Sequence, residues 1–334
     1  MTDHVTLSMG AGGKQTAELI TNVFKKNLTN RFFTADDAAV LPQPDGQIAM
    51  STDGFIVSPA FFPGGNVGEL SVCGTVNDLT CMGAKPLYLT CSFVLEEGYP
   101  ISSLEKIVSS MAETATKCGV SIVAGDTKVA GKGQVDGCFI TTAGVGEVVD
   151  GVSTSGAFAR PGDAVIVTGD VGRHGCAILL SRAEYGIEAD VASDCAPLWN
   201  PMSEVFGKVP EVHVVRDATR GGVGTVLYEI AHESSVGIKL SREKVPVQSE
   251  VQGVCDMLGL DPLYLACEGR MVIIAPAQKA DEIISVLKSH DDTAGACVIG
   301  EVTDEKPDHV IVETVIGTET YLPEPGNELL PRIC

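Results

Sequence analysis

The first half of the chain alternates between apolar patterns of helical period and short apolar runs typical of strands. Residues 66–83 carry apolar side chains at helical spacing behind Asn66, a predicted cap, and residues 102–119 repeat this pattern and end on Gly119. A further helix is predicted over 15–28. Apolar runs bounded by Gly, Pro or Asp predict strands at 38–41, 47–52, 88–95 and 137–148.

A Gly- and Ser-rich break at 148–163 separates this half from a second one with the same character. The run DAVIVTGD restarts the pattern with a strand, and HVIVETVI at 309–316 predicts the last one. Between them, helices are predicted near 174–186, 219–233, 249–258 and 276–289, and strands near 213–215, 237–240, 271–275 and 296–302. The chain therefore predicts two α+β units of comparable size.

We expect four parts along the chain. They are an N-terminal Gly-rich segment with its helix (1–35), an N-terminal domain (36–149), a C-terminal domain (150–318) and a flexible tail (319–334). The three prolines of the tail, YLPEPGNELLPRIC, favour an extended and solvated backbone. From Tyr321, this strap can extend on the order of 45 Å.

Charge excludes several classes of partner. The 334 residues carry 23 Lys and Arg against 44 Asp and Glu, a net charge of −21 that opposes binding to nucleic acid or to an anionic membrane surface. A phosphate ligand must therefore be bound through Mg²⁺ or backbone amides. The N-terminus lacks an export signal, and the longest apolar runs are too short to span a bilayer, so we expect a cytoplasmic protein.

The cysteines indicate thiols rather than disulfides or zinc. Their number, eleven, is odd, and the sequence contains no CxxC pair. Most of them, such as Cys91 and Cys138, lie inside apolar runs, where cysteine behaves as a small buried hydrophobe. Cys334, the last residue, is the exception and is either incidental or functional.

Acidic residues beside the ends of predicted strands and helices suggest a magnesium site. These residues are Asp36, Asp37, Asp53, Asp78 and Asp126. Carboxylates in loops suit Mg²⁺, which prefers oxygen ligands and bridges to phosphates. The alternative for any one of them is the common role of Asp in turns and caps.

Standard phosphate-binding loops are missing from the sequence. GGKQT has Gln15 where a P-loop needs Ser or Thr, and no GxGxxG occurs. The segment GAGGK can still bind phosphates through its amides, the alternative being a flexible N-terminal segment. In the second half, Arg216 and Arg220 of RDATRGG are either ligands or part of a solvated face. Glu268 of CEGRMV could act as a general base if it is held near a substrate.

Taken together, several motifs resemble one family over essentially the whole chain. DDAAV, VNDL and DTKV are similar to the aminoimidazole ribonucleotide synthetase (PurM-like) ATP-binding superfamily, and the terminal PRIC narrows the resemblance to the HypE family of hydrogenase maturation factors. The family implies an α+β fold of two domains, the first with a mixed sheet that pairs across a homodimer interface. ATP and Mg²⁺ would bind near that interface.

The resemblance also implies a reaction and partners. Cys334 would receive a carbamoyl group from the carbamoyltransferase HypF, and its ATP-dependent dehydration to a thiocyanate would supply cyanide for the iron of [NiFe] hydrogenase through a HypC–HypD complex. The reaction needs in-line positioning and charge neutralisation more than covalent help from the protein. Ser8 and Met9, where selenophosphate synthetase would place a Cys or selenocysteine beside a Lys, argue against that relative's activity.

Site roles follow from the same resemblance. Asp37, Asp53 and Asp78 would hold Mg²⁺, with Asp36 and Asp126 close to the nucleotide. Lys128 would meet phosphate or the carbamoyl oxygen, and Glu268 would act as base. Lys14 with Gly12 and Gly13 would close over the phosphates. Thr80 and Cys81 differ from the family pattern, which would place an apolar residue such as Met at 81. We interpret both as variation in the packing of the helix that leaves the carboxylate motifs unchanged.

Two alternatives remain open. The chain could be another ATP-dependent kinase or synthetase of the superfamily, acting on a small amide, amidine or phosphate, with no use for Cys334. It could also be a non-catalytic carrier or scaffold whose terminal thiol shuttles a group or docks a partner.

Overall fold

A computed structural model describes residues 3–32, 34, 36–182 and 186–326. Its first domain is built on a four-stranded mixed sheet in the order β1-β6-β4-β5. Strands β1 and β4 run antiparallel to β6, and β5 runs parallel to β4. The four strands are β1 Ile48–Phe55, β4 Ala84–Glu96, β5 Ser121–Ala130 and β6 Cys138–Val148, and a separate two-stranded ribbon pairs β2 Phe61–Phe62 with β3 Gly65–Asn66.

Helices α3 (Val67–Cys81) and α4 (Ile101–Cys118) contact each other, and α3 also packs against β1, β4 and β6. Asn66 caps α3 as predicted, because its side chain accepts hydrogen bonds from the amides of Gly68 and Glu69. Most of α3 is buried on every side, as expected for a helix enclosed by other elements. Helix α4 buries only one stripe and ends at Gly119 in a left-handed conformation.

The predicted helix over 15–28 is observed as three consecutive helical pieces. They are α1 (Lys14–Leu19), a π-helical stretch (Ile20–Lys25) and α2 (Lys26–Leu28). Phe24 packs edge-on against Phe93 of β4, with ring centroids 5.0 Å apart, which fixes this helical segment to the first domain.

The second domain contains a seven-stranded sheet in the order β13-β12-β9-β11-β7-β10-β8. Its strands are β7 Asp163–Val167, β8 Val214–Asp217, β9 Gly237–Ser241, β10 Met271–Pro276, β11 Cys297–Thr303, β12 Val310–Glu313 and β13 Glu319–Tyr321. Its helices are α5 Arg173–Ser181, α6 Trp199–Lys208, α7 Gly222–Ser234, α8 Ser249–Leu258 and α9 Ala280–Leu287. The strands of its centre, such as β10, are buried almost throughout.

The two domains share a buried contact. Asn77 of α3 accepts a hydrogen bond from the amide of Leu198 (2.8 Å) and donates to the carbonyl of Ala196 (3.1 Å). A single hydrophobic cluster includes residues of both domains, for example Leu70 and Trp199. This contact holds the C-terminal end of α3 against the second domain.

Most predicted elements are present, and the exceptions have identifiable causes. No strand forms at 38–41, where Val40 is 90% exposed, because no neighbouring strand pairs with this segment. Prediction missed β5, whose apolar run is interrupted by Asp126 and Lys128, and it missed α6 and the short β13. The predicted strand 309–316 ends at Glu313, and Val315 and Ile316 lie in the following turn.

In the part of the chain that the structure describes, no helix has both the length and the apolar character needed to cross a bilayer.

Candidate active site

Asp53 of β1 lies on the sheet face that packs against α3, and Asp78 is a residue of α3 itself. The Ser51 hydroxyl donates to Asp78 Oδ2 at 2.5 Å, which ties β1 to α3. A Cβ on Gly74 would lie 2.8 Å from the Phe55 ring and 3.5 Å from Asp53 Oδ2, so the missing side chain allows α3 to approach β1 closely. Two of the predicted magnesium ligands are thus brought together.

Burial makes these two carboxylates electrostatically unusual. Burial raises the pKa of Asp53, opposed by the Gly54 amide and by Arg220. Burial also raises the pKa of Asp78; the Ser51 hydroxyl opposes this shift and the charge of Asp53 adds to it. A bound cation would favour the ionised form of both groups.

The second domain contributes a third carboxyl and two arginines. Asp217 ends β8, and burial, followed by the charge of Asp78, raises its pKa to about 6. Arg216 forms ion pairs with Glu229 (2.5 Å) and Glu233 (3.3 Å) of α7, and Arg220 is exposed. Both arginines act on Asp78 electrostatically, so the motif RDATRGG faces the carboxylates of the first domain.

Glu268 is buried beside the same group of acids. Burial raises its pKa well above the ordinary value, and the charges of Asp217 and Asp194 add to the shift. None of the described hydrogen bonds or ion pairs engages its carboxyl group, whereas its amide donates to Asp194 Oδ1 at 3.2 Å. A buried carboxyl with a raised pKa is suited to proton transfer near neutral pH.

A buried ion-pair network holds the backbone on either side of Glu268. Arg270 donates to Asp170 Oδ1 (2.8 Å) and to the carbonyl of Gly269 (2.7 Å), and it lies 3.7 Å from Asp194 Oδ2. A Cβ on Gly269 would lie only 1.9 Å from the carbonyl oxygen of Asp194. Glycine at 269 and the network together position Glu268.

The described residues fit a magnesium ion shared with phosphate better than a closed metal cage. Among them, no three His, Cys, Asp or Glu side chains are gathered closely enough to hold a metal ion. Asp53 and Asp78 nevertheless form a pair of partly buried carboxylates whose pKa values are both raised. Mg²⁺ commonly binds one or two carboxylates and completes its coordination with water and substrate phosphates.

Asp36 and Asp37 are exposed and lie between α2 and β1, outside helices and strands. Among the interactions of the described residues, none joins them to Asp53 or Asp78. Their predicted roles therefore stay predictions.

Asp126 and Lys128 lie on the other side of the first sheet. The Lys128 ammonium contacts Asp126 Oδ2 at 2.9 Å, and this interaction, more than any other, lowers the pKa of Asp126. Asp126 is in register with Ser92, which pairs with Thr141, whereas Asp53 pairs with Thr142. Because side chains alternate along a strand, Asp126 and Asp53 point to opposite faces, and they also lie on opposite edges of the sheet.

The Gly-rich segment runs beside β5 and not beside Asp53. A Cβ on Gly10 would lie 2.7 Å from the amide of Val129, so this part of the segment packs against the strand that carries Lys128. Gly12 and Gly13 have positive φ angles of 85° and 81°, which favour glycine. Lys14 begins α1 and lies 3.9 Å from Glu18. The predicted site residues therefore form two separate groups in one chain.

Cys334 lies outside the described residues. Of the ten cysteines that are described, all have free thiols; nine are buried and Cys297 is partly buried. The expectation that these thiols serve as packing residues is confirmed.

Sequence reasoning missed Asp217. The signal was available, because this acid stands at the end of an apolar strand, and Asp53 likewise lies near the end of β1. The prediction for this motif considered only its arginines, Arg216 and Arg220, and not the carboxyl group between them.

Comparison with known proteins identifies relatives over the full length. The family model for the AIR synthase related protein N-terminal domain matches residues 35–148, and that for the C-terminal domain matches residues 160–313. The carbamoyl dehydratase HypE of Azotobacter vinelandii is 42% identical over 331 residues, which covers 99% of this chain and 97% of that protein.

Solved structures give the same result. A crystal structure of the hydrogenase maturation protein HypE in complex with ATP has a TM-score of 0.94 and 42% identity, and the match covers 98% of this chain and 99% of that one. A chain in the crystal structure of a HypE–HypF complex has a TM-score of 0.81 and 44% identity, over 92% and 99% of the two chains. The predicted two-domain α+β architecture is confirmed.

Proposed function

This chain belongs to the HypE family of carbamoyl dehydratases, and on that premise we propose that it converts an S-carboxamide on Cys334 to a thiocyanate with ATP. The thiocyanate would supply cyanide ligands for the iron of [NiFe] hydrogenase. The observation that carries the proposal is the meeting of Asp53 and Asp78 from one domain with Asp217 and Glu268 from the other. A site that gathers acids from both domains suits a reaction that moves protons and binds a charged phosphate through a cation.

The chemistry explains why ATP is needed. The carboxamide oxygen attacks the γ-phosphorus of ATP and ADP leaves, while one N–H proton departs. The C–O bond then breaks, phosphate leaves with that oxygen, and loss of the second N–H proton completes the nitrile. Thiocarboxamide and ATP thus become thiocyanate, ADP and phosphate, and hydroxide is never required as a leaving group.

Glu268 would take a proton from the carboxamide nitrogen. Its pKa is raised by burial and by its acidic neighbours, so it keeps its proton to higher pH than an exposed glutamate does. Neutralising Asp53 and Asp78 would lower that pKa and make the carboxylate available as a base. Proton removal would thereby be coupled to loading of the phosphate site.

Asp53 and Asp78 would hold the magnesium ion, with Asp37 as the predicted further ligand. Magnesium, when bound, supplies neutralisation of the phosphate charge that accumulates during transfer. The raised pKa values of the pair support this assignment, since burial raises each of them and the charge of Arg220 only partly opposes the shift.

ATP is the proposed phosphoryl donor, supported by the relative crystallised with ATP. Lys128 would meet phosphate or the carbamoyl oxygen, Asp126 and Asp36 would lie near the nucleotide, and Gly12, Gly13 and Lys14 would close over the phosphates. Because Asp126 and Lys128 lie on the opposite face of the sheet from Asp53, a second copy or a rearrangement of the Gly-rich segment is needed to bring the two groups together.

A homodimer is part of the proposal. The face of the first sheet that carries Asp126 and Lys128 also bears a cross-strand row of Met50, Val145 and Tyr88. Met50 is 74% exposed, and Val145 and Tyr88 are partly exposed. An apolar sheet face of this kind supports association with another copy.

The partners follow from the family. A HypF-type carbamoyltransferase is the proposed carbamoyl donor, supported by the HypE–HypF complex formed by a relative. A HypC–HypD complex is the proposed acceptor of the cyanide group. The cytoplasm is the proposed compartment, because a substrate thiol must stay reduced.

Intact mass spectrometry tests the proposal. The protein is treated with a carbamoyl donor system, before and after addition of MgATP, beside a Cys334→Ala control. We expect gain of one carbamoyl group on Cys334, then loss of one water only with MgATP. Consumption of ATP on a small molecule while Cys334 stays unmodified would instead support a kinase or synthetase.

A further inference from the structure

The segment that leads to Cys334 is attached to the second domain at its base. Leu322 is only 3% exposed and belongs to the hydrophobic cluster of that domain. Its amide donates to the carbonyl of Val310 at 2.8 Å. The residues that follow, from Pro323 to Gly326, are exposed. Of the residues described up to Gly326, Leu322 is therefore the last one that is buried.

Two tyrosine hydroxyls hold the backbone at this point. Tyr228 of α7 donates to the carbonyl of Leu322, and Tyr264 donates to the carbonyl of the next residue, Pro323. Proline has no amide hydrogen, so this carbonyl is its only backbone hydrogen-bonding group. The two consecutive carbonyls are thus both occupied by side chains of one domain.

The packing around the tyrosines is specific. A Cβ on Gly224 would lie 2.7 Å from the Tyr264 ring, so the ring rests against helix α7 where a side chain is missing. Burial, first among the causes, raises the pKa of both tyrosines, which keeps the hydroxyls protonated as donors. Tyr228 is itself buried in the same cluster as Leu322.

The attachment lies close to the candidate active site. Helix α7 starts at Gly222, two residues after Arg220, and Tyr228 is six residues further on, about 9 Å along the helix. Tyr264 precedes Glu268 by four residues. The eleven residues from Glu324 to Cys334 can span on the order of 36–40 Å when extended, which is ample to bring the thiol back to Asp217 and Glu268.

We propose that Tyr228 and Tyr264 are positioning residues that fix the origin of the C-terminal segment beside the site, so that the Cys334 carboxamide is presented to its own active site at a high effective concentration. This role rests on the proposed dehydration. Neither tyrosine contacts the reacting atoms, and both act through the segment that they hold.

The experiment compares reaction in cis with reaction in trans. Tyr228→Phe, Tyr264→Phe and the double variant are carbamoylated on Cys334, and thiocyanate formation with MgATP is followed by mass spectrometry in a single turnover. The same substitutions in a Cys334→Ala background are given a carbamoylated peptide of residues 327–334. Tyr321→Phe is the matched control, because Tyr321 is half exposed and its ring lies tilted beside that of His309, with centroids 5.2 Å apart.

We expect the cis rate of the double variant to fall about three- to tenfold, the range produced by losing one or two such hydrogen bonds. The trans rate should be unchanged, which a general loss of structure would not allow. Hydrogen exchange at the Leu322 amide, which is bonded to the carbonyl of Val310, should accelerate in the double variant and not in Tyr321→Phe.

Three results would overturn the proposal. Equal cis rates for the unsubstituted protein and the double variant would show that the anchor has no role in presentation. Unchanged amide exchange would show that the hydroxyls do not hold the segment. Absence of thiocyanate from the unsubstituted protein itself would overturn the proposed function, and this outcome differs from the first because no cis rate would exist to compare.

Discussion

At the scale of single residues, the candidate site consists of acidic side chains whose burial disfavours their ionised form. Asp53, Asp78 and Asp217 come from two domains, and burial is the first cause of the raised pKa in each. Such an arrangement lowers stability in the free protein and is characteristic of sites that bind a cation or transfer a proton.

Asp217 should impose a pH dependence on stability. Its folded pKa of about 6 exceeds the ordinary value of 3.8, so the folded state binds more protons between these values. The contribution of Asp217 to the free energy of unfolding should therefore fall as pH rises from about 4 to about 6, by about 2 to 3 kcal/mol, and stay level above. Urea unfolding without Mg²⁺ should show a smaller decrease over this range for Asp217→Asn than for the unsubstituted protein, and an identical profile would contradict it.

Asp78→Asn should separate function from folding. Asparagine keeps an acceptor for the Ser51 hydroxyl but removes the charge, so ATP hydrolysis should fall on the order of 100-fold. The melting temperature at neutral pH should be equal or higher, because a disfavoured carboxylate is gone. Asp45→Asn, at an exposed position, serves as the control and should retain activity. A well-folded and fully active Asp78→Asn would exclude this residue as a metal ligand.

At the scale of elements, glycines set how closely a loop and a helix approach. Gly269 lets the loop that carries Glu268 lie against the carbonyl of Asp194, and Gly74 lets α3 lie against β1. Both glycines adjoin site residues, and neither has a positive φ angle, so the missing side chain and not the backbone conformation is what matters.

Gly269→Ala should therefore displace Glu268. The new Cβ would overlap the Asp194 carbonyl, which backbone movement must relieve, at about 1–3 kcal/mol of unfolding free energy and with loss of dehydration. Gly253→Ala in α8, where a Cβ meets no atom within 4 Å, is the control and should stabilise by about 0.5–1 kcal/mol. Chemical denaturation measures both, and equal effects would contradict the close-contact argument.

At the scale of the whole molecule, the predicted site residues are divided between two faces of one sheet. Asp53 lies under α3, whereas Asp126 and Lys128 lie on the open face together with Met50 and Val145. A complete site as predicted thus depends on association of copies or on movement within one chain.

Met50→Lys should weaken the proposed homodimer. A charge within the apolar row would be desolvated on association, so a shift toward monomer is expected in light scattering coupled to size exclusion. Met257→Lys is the control, because Met257 is 65% exposed on α8 of the second domain and should leave association unchanged. If Met50→Lys associates like the unsubstituted protein, the open sheet face is not the interface.

Much of the fold could be predicted because local patterns agree with the final elements. The cap at Asn66, the glycine stop at Gly119 and the period of α4 act within a few residues, so the sequence suffices to specify them. The prediction of a strand at 38–41 is wrong because a strand forms only where another strand pairs with it. The apolar pattern of a segment does not show whether such a partner strand exists. Strand β5 forms because it pairs with β4 along its length. Its polar residues interrupt the apolar pattern, so the sequence did not predict it.

The candidate site was predicted as a set of residue types, and only the tertiary structure decided how they group. Sequence alone determined that acids follow apolar strands, that the chain carries no standard phosphate loop, and that its last residue is a thiol. The proximity of Asp78 to Asp217, the burial of Glu268 and the tyrosine anchor of the C-terminal segment depend on contacts between residues far apart in the chain. Burial and mutual charge are properties of that three-dimensional arrangement, and they raise the pKa values of these carboxyl groups above their ordinary range.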